Sequence, residues 1–183
     1  LWGHGPRNSS VAQSGSIPSD EALKTAMEAV GYSKLEVDVS LNTLRKKHPA
    51  LTLDLGAMLQ GYAVDRVAQL LEGRGIANCL VEIGGEVVTR GTRTDGQPWR
   101  LGIETPRADA RTVHQVVALK DRALATSGDT RNFRVVGDNG EKISHLIDPH
   151  TGRPLPYRGW SVSVLAPSCL EADALAFAEK LCS

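Results

Sequence analysis

The residues best suited to chemistry fall in five polar segments. The densest is Ser144-His145-Leu146-Ile147-Asp148-Pro149-His150-Thr151-Gly152-Arg153-Pro154. An imidazole titrates near neutral pH, so His145 can act as a general base, with Asp148 close behind it at the start of a loop pinned by Pro and Gly. His145, Asp148 and His150 can instead be three ligands of a hydrolytic metal. The plainer alternative has Asp148-Pro149 opening a turn and His150 in solvent. Ala125-Thr126-Ser127-Gly128-Asp129 sets two hydroxyls before a glycine. Read as a loop, it offers Thr126, Ser127 and the Gly128 backbone as donors to a phosphate, or is an ordinary turn. Ile83-Gly84-Gly85-Glu86 lies between two expected strands. It is either a hairpin turn or a place where a flat ligand meets the backbone while Glu86 accepts from ribose hydroxyls or a ring N–H. Asp54-Leu55-Gly56-Ala57-Met58-Leu59-Gln60-Gly61-Tyr62 runs into the first turn of a helix, where free N–H groups and the dipole suit an anion. Small residues there also serve close packing. Asp173, at the edge of an apolar helix stripe, needs a cation or backbone donors if it is half-buried; otherwise it is a surface acid.

These segments need elements to hold them. Ser19 is expected to cap a helix beginning at Asp20-Glu21 and ending near Gly31. Residues 35–39 and 51–55 alternate as half-buried strands. Leu59, Ala63, Val67 and Leu70 then mark an amphipathic helix that Gly73 and Gly75 stop. Strands are expected over 80–83, 86–91, 99–104, 114–119, 132–136 and 160–165, joined by turns such as Thr94-Asp95-Gly96 and Gly137-Asp138-Asn139-Gly140. Such short spacing favours antiparallel pairing over parallel crossovers. Ser168-Cys169-Leu170-Glu171 has capping-box spacing and opens a last helix with Leu170, Ala174, Phe177, Ala178 and Leu181 as its buried stripe. Residues 1–18 read as an irregular opening segment. The expectation is α+β, mainly antiparallel sheet with packed helices, as a single domain over residues 1–183.

Composition removes several function classes. The 183 residues carry 21 Lys+Arg against 21 Asp+Glu, with 3 Trp, 3 Tyr and 2 Phe. A formal charge of zero provides no net attraction for phosphate backbones, and few aromatics leave few stacking platforms, so nucleic acid is a poor partner. At 41% hydrophobic and 23% charged the chain is ordinary and globular. No apolar run approaches bilayer-spanning length. The chain has no G-x-x-x-x-G-K-[ST], no strand-flanked G-x-G-x-x-G and no H-E-x-x-H, which disfavours Walker-type nucleotidases, Rossmann oxidoreductases and that class of zinc hydrolase. Cys79, Cys169 and Cys182 are odd in number and widely spaced, suggesting inert thiols.

Taken in order, the polar segments resemble the ApbE family, Mg-dependent flavin transferases that attach FMN from FAD to a Thr or Ser of a target protein. The matching stretches are Leu1-Trp2-Gly3-His4-Gly5-Pro6, Leu53-Asp54-Leu55-Gly56-Ala57 with Gly61-Tyr62-Ala63-Val64-Asp65, and Leu80-Val81-Glu82-Ile83-Gly84-Gly85-Glu86. Ala125-Thr126-Ser127-Gly128-Asp129 follows, then Ser144-His145 with Ile147-Asp148-Pro149 and Thr151-Gly152-Arg153-Pro154. Ala166-Pro167-Ser168 with Glu171-Ala172-Asp173-Ala174-Leu175-Ala176 closes the set. The resemblance implies that Gly84, Gly85, Glu86, Thr126, Ser127 and Gly128 border the FAD, with Gln60 facing phosphate. It implies that His145 and Asp148 sit at the reacting end, and that Asp173 and a backbone carbonyl near Ala57 hold Mg²⁺. Attack on a pyrophosphate needs charge neutralisation, an activated hydroxyl and donors around the phosphates, and Mg²⁺ takes oxygen ligands while keeping several waters.

Three positions depart from the family pattern: Gln60 stands where Lys is usual, Thr130 where Tyr is usual, and Phe177 where a Thr would face the metal. Relative to the family, the chain is expected to lack an N-terminal region and a strand region after the last helix. The resemblance also implies a periplasmic or membrane-anchored location, membrane contact coming only through a lipoprotein anchor outside this sequence. The leading expectation is an FAD:protein FMN transferase acting on an acceptor protein. A metal-dependent FAD pyrophosphatase and a non-catalytic flavin binder are the alternatives.

Overall fold

The computed structural model describes residues 17–107, 111–130, 133–136 and 140–182. In chain order they form α1 (Asp20–Met27), β1 (Leu35–Asp38), β2 (Thr43–Lys46), α2 (Gly56–Glu72), β3 (Cys79–Ile83), β4 (Glu86–Arg90), β5 (Trp99–Glu104) and β6 (Val113–Leu119). They continue with β7 (Ala123–Gly128), β8 (Phe133–Val136), β9 (Glu141–Ile147), β10 (Pro154–Pro156), β11 (Ser161–Ala166) and α3 (Cys169–Cys182). Among the described residues every strand pairing is antiparallel. The mixed α+β class is therefore the one expected. The Leu1–Pro6 motif, Asn132 and the 137–139 turn lie outside the described residues.

The chain divides into two compact units. The first joins Leu1–Leu53 to Phe133–Tyr157. In it, Ser19 caps α1, its hydroxyl accepting the Ala22 N–H at 3.2 Å. The helix stops at Met27 rather than near Gly31, because the Lys34 ammonium gathers the carbonyls of Met27, Glu28 and Val30 at 3.2, 2.5 and 2.7 Å. β1 pairs with β2, a strand whose four residues are all exposed and which therefore lacks the alternation that marks a strand in sequence. Its turn is built by Asp38, which accepts from the Ser40 hydroxyl and the Leu41 N–H, and by Asn42 at φ 51°. The expected strand over 51–55 does not form. Leu51 is buried, but Leu53 and Leu55 are exposed, and alternation without a partner strand makes no ladder. The other sheet of this unit has the order β10-β9-β8. On β9, Ser144 and Leu146 are buried on one face, so the half-buried Ile143, His145 and Ile147 stand on the other.

The second unit joins Asp54–Asn132 to Arg158–Ser183. A four-stranded sheet in the order β11-β7-β4-β3 is packed by α2 and α3. Val64 and Ala68 of α2, Val81 and Val88 of the sheet, Ala123 and Ala125 of β7, and Cys169, Ala172 and Ala176 of α3 form the core. β5 and β6 make a separate hairpin. Two stripes differ from those expected. On α2 the buried positions are Gly61, Val64, Asp65 and Ala68, while Leu59 and Leu70 are exposed. On α3 they are Cys169, Ala172, Asp173, Ala176 and Lys180, while Leu170 is exposed and Phe177 half-buried. In both helices the smallest side chains face inward, because two helices packed on one sheet approach closely through Gly and Ala. A reading that follows the largest apolar side chains therefore rotates each helix away from its true face.

A further difference concerns Thr126-Ser127-Gly128. These residues end β7, paired with Ser163, Val162 and Ser161 of β11, and are strand rather than loop. Asp129 follows, buried at 1% exposure, accepting N–H groups from Arg158 and Trp160 and pairing with the equally buried Lys180 at 3.5 Å. The Lys180 ammonium also lies 4.0 Å over the Trp160 ring. This knot ties the last turn of α3 to the end of β7.

Candidate functional site

Most of the candidate residues gather at one end of the second unit's sheet. Ile83 pairs with Glu86, so Gly84 and Gly85 form a two-residue hairpin turn, at φ +68° and +109°. That is backbone geometry only glycine adopts cheaply. β4 and β7 are in register at Val87–Leu124 and Val88–Ala123. Continuing that register sets Glu86 level with Ala125, and the Gly84-Gly85 turn level with Thr126 and Ser127. The Thr126 hydroxyl hydrogen-bonds that of Ser163 at 2.7 Å. Gln60, from the first turns of α2, reaches the same place: a Cβ on Gly84 would lie 2.4 Å from its Nε2.

Two acids complete the cluster. Asp173 is 6% exposed and its Oδ2 accepts the Gly61 N–H at 2.9 Å. In a regular helix that N–H points to the carbonyl of the half-buried Ala57, four residues back, so Asp173 meets α2 beside that carbonyl. Gly61 permits the approach, since a Cβ there would fall 2.3 Å from the Cys169 carbonyl oxygen. Glu86 is also 6% exposed, and its Oε2 has no hydrogen-bond partner among the described residues. Burial pushes its carboxyl up to about 7, helped by the negative charges of Asp173 and Glu82. Burial likewise raises Asp173, against the pull of the Gly61 N–H. The buried Cys169 thiol is pushed up to about 12 by burial and by Asp65, Glu86 and Asp173.

Gly61 and Asp65 were not among the expected site residues. The Asp65 carboxylate caps α3, accepting the N–H groups of Cys169 and Leu170, both at 2.9 Å. A glycine and an acid four apart share one helix face, and that spacing is the signal that points to them.

The raised Glu86 carboxyl has a consequence for stability. The unfolded chain releases this proton near 4.5 and the folded one near 7. Between those values the folded state binds more protons, so stability falls as pH rises and levels off above about 7. The metal-free protein is expected to melt at a higher temperature at pH 5 than at pH 8. Glu86→Gln should remove most of that slope, and an unchanged slope in thermal melts would refute the assignment.

The remaining candidates, His145 and Asp148, belong to the first unit. His145 stands on the half-buried face of β9, beside the register shift between Pro154 and Pro156 of β10. Asp148 shapes the loop that follows. Its Oδ1 accepts the His150 N–H at 2.8 Å and its Oδ2 the Thr151 hydroxyl at 3.0 Å. The His150 N–H in particular holds this carboxyl below the usual carboxylate range. Among the described residues no three His, Cys, Asp or Glu side chains form a metal-ligand group, and the His145–Asp148–His150 alternative is set aside on that ground.

A family model described as the ApbE family matches residues 1–179. The chain belongs to the ApbE family. It is 44% identical over 176 residues to the FAD:protein FMN transferase of Vibrio cholerae serotype O1, covering 96% of this chain and 50% of that protein. It is 39% identical to the FAD:protein FMN transferase of Escherichia coli K12, covering 95% and 48%. The apo crystal structure of the Pseudomonas stutzeri flavinyl transferase ApbE superposes with a TM-score of 0.80 at 35% identity, over 99% of this chain and 53% of that one. The chain thus spans about half the length of the relatives it matches.

The second unit's acid cluster fits the divalent cation that the family resemblance implies. Two carboxylates are buried, one with an orphaned oxygen, and the charges acting on Glu86 are negative. The Ala57 carbonyl lies one helical turn back from the Gly61 N–H that Asp173 accepts. The donors are all oxygen, as Mg²⁺ requires.

Proposed function

We propose that this chain carries the flavin-transfer site of an ApbE protein. It moves FMN from FAD to a Thr or Ser hydroxyl of an acceptor protein and releases AMP, with Mg²⁺ required. The observation that carries the reading is the buried Asp173–Glu86 acid pair, set at the sheet end that also presents the Gly84-Gly85 turn and Thr126–Gly128. In this reading the acceptor hydroxyl gives its proton to His145, its oxygen bonds to the phosphorus on the FMN side, and the P–O bond to AMP breaks. Asp173 and the Ala57 carbonyl would hold the cation, which supplies charge neutralisation at the pyrophosphate. The Gly-Gly turn lets FAD approach the backbone, and Gln60, Thr126 and Ser127 supply neutral donors around it.

Incubation with FAD, Mg²⁺ and an acceptor protein tests the reading directly. Covalent flavin on the acceptor with equimolar AMP supports transfer. FMN and AMP without labelled acceptor indicate pyrophosphatase activity. Bound, unaltered FAD indicates a flavin binder.

Phe177 gives this reading a graded test. It lies one turn after Asp173 on α3 and so on the same face, where a phenyl ring supplies no oxygen to a cation. Phe177→Thr is expected to lower the Mg²⁺ concentration for half-maximal transfer several-fold. Because Phe177 is only half-buried, the stability cost should stay below the ~3–5 kcal/mol of truncating a core Phe. A Mg²⁺ titration that superimposes on the parent's would place Phe177 away from the cation.

A further inference from the structure

We propose that Glu86 is a second acidic group of the divalent-cation site at Asp173, facing the ion directly or across one bound water. This rests on the metal-dependent reading above and extends it to a residue that the resemblance assigns only to the flavin. Glu86 is the first residue of β4, fixed by its pairing with Ile83 across the glycine turn. It is withdrawn from solvent to 6% exposure, yet its Oε2 meets no donor among the described residues. The charges that act on it, those of Asp173 and Glu82, are both negative. The nearby Gln60 amide, lying over Gly84, is neutral and cannot compensate a carboxylate. An acid buried this way is costly unless a cation joins it.

Asp173 is anchored on α2 at the residue next to Gln60. Its Oδ2 is held by the N–H of Gly61, the residue after Gln60, whose amide lies over Gly84 beside Glu86 Oε2, and its second oxygen is left for another partner. Two carboxylates and a carbonyl make an all-oxygen donor set that suits a hard divalent ion completed by water or phosphate oxygens. A flavin hydroxyl or ring N–H would satisfy Oε2 but would bring no positive charge to the acids. The cation answers both conditions.

Mn²⁺ serves as the probe, with free ion counted by electron paramagnetic resonance in titrations of the parent chain, Glu86→Gln, Glu86→Asp and Asp173→Asn. FAD binding without metal is followed separately by flavin fluorescence. Glu86→Gln is expected to weaken Mn²⁺ about 10–100-fold, the usual range for losing an outer-shell partner, while FAD affinity without metal stays within a few-fold. Glu86→Asp, which keeps the charge, should lose less. Melting curves control for folding: Mn²⁺ should raise the parent's midpoint and leave that of Glu86→Gln nearly unmoved. If Glu86→Gln fails to fold, Glu86→Ala carries the test, and parent-like Mn²⁺ affinity in it together with weakened FAD binding overturns the proposal. Parent-like Mn²⁺ binding by Glu86→Gln alongside weakened binding by Asp173→Asn removes Glu86 from the site and leaves the cation at Asp173. Parent-like binding by both variants, or none by the parent, removes the metal reading itself.

Discussion

Gly61→Ala is expected to destabilise the protein by about 3 kcal/mol, the upper end of what overpacking a tight site costs. Two effects oppose each other. Alanine is the better helix former, worth ~1 kcal/mol over glycine in a helix interior. Against that, the new Cβ would stand 2.3 Å from the carbonyl oxygen and 2.7 Å from the carbonyl carbon of Cys169, and 2.9 Å from the Asp173 Cβ. The obstruction is backbone, not the mobile tip of a side chain. Nor can α3 shift freely, because Asp65 of α2 holds the N–H groups of Cys169 and Leu170. The clash therefore wins, and relieving it means parting α2 from α3 and stretching the Gly61 bond to Asp173. Urea denaturation should show a lower midpoint, and Mn²⁺ affinity should fall with it. The neighbouring Tyr62 is half-exposed, and Tyr62→Ala should change stability far less. Parent-like stability of Gly61→Ala would mean that the helices do not meet at this distance.

That contact also explains which parts of the molecule could be read from the sequence. Alternation, turn residues and caps were legible: Ser19 and Ser168 cap their helices, and the Gly84-Gly85 hairpin, β5 and β6 lie where expected. The helix faces were not, because hydrophobic size weights Leu59 and Leu70 above Gly61 and Ala68, whereas close packing rewards the small residues. Thr126-Ser127-Gly128 reads as a loop because Thr, Ser and Gly are turn formers, and the pairing of β7 with β11 makes it strand. β2 carries no apolar alternation and exists through its turn and partner. Among the candidate site residues, Glu86 was legible as an acid beside two glycines. Its burial and orphaned oxygen were not, since both depend on the register with β7 and the approach of α3. Gly61 and Asp65 act through backbone N–H groups, and type alone does not reveal that.

His145→Ala is expected to slow flavin transfer by ~10²–10⁴-fold, the usual worth of general acid–base help, with FAD affinity changed only a few-fold. The companion variants decide whether Asp148 shares this task. Its carboxylate is occupied in shaping the loop through the His150 N–H and the Thr151 hydroxyl, and the first of these in particular keeps it charged. A carboxylate held below its usual range is a weak proton acceptor, which leaves the imidazole as the better base. Asp148→Asn keeps an oxygen for the His150 N–H and can donate its amide to the Thr151 hydroxyl, so the loop should persist without the charge. Transfer by Asp148→Asn is therefore expected within about tenfold of the parent, whereas Asp148→Ala, which loses every one of the carboxylate's loop contacts, should lower both stability and rate. His150→Ala should matter little: its ring Nδ1 also lies 3.2 Å from Asp148 Oδ1, but that side chain is 91% exposed and the shorter loop bond runs through its backbone N–H. Single-turnover rates with saturating FAD separate these outcomes. A fall in Asp148→Asn as deep as in His145→Ala would show that the reaction needs the Asp148 charge itself, and collapse of FAD binding in His145→Ala would make that residue a ligand contact rather than the base.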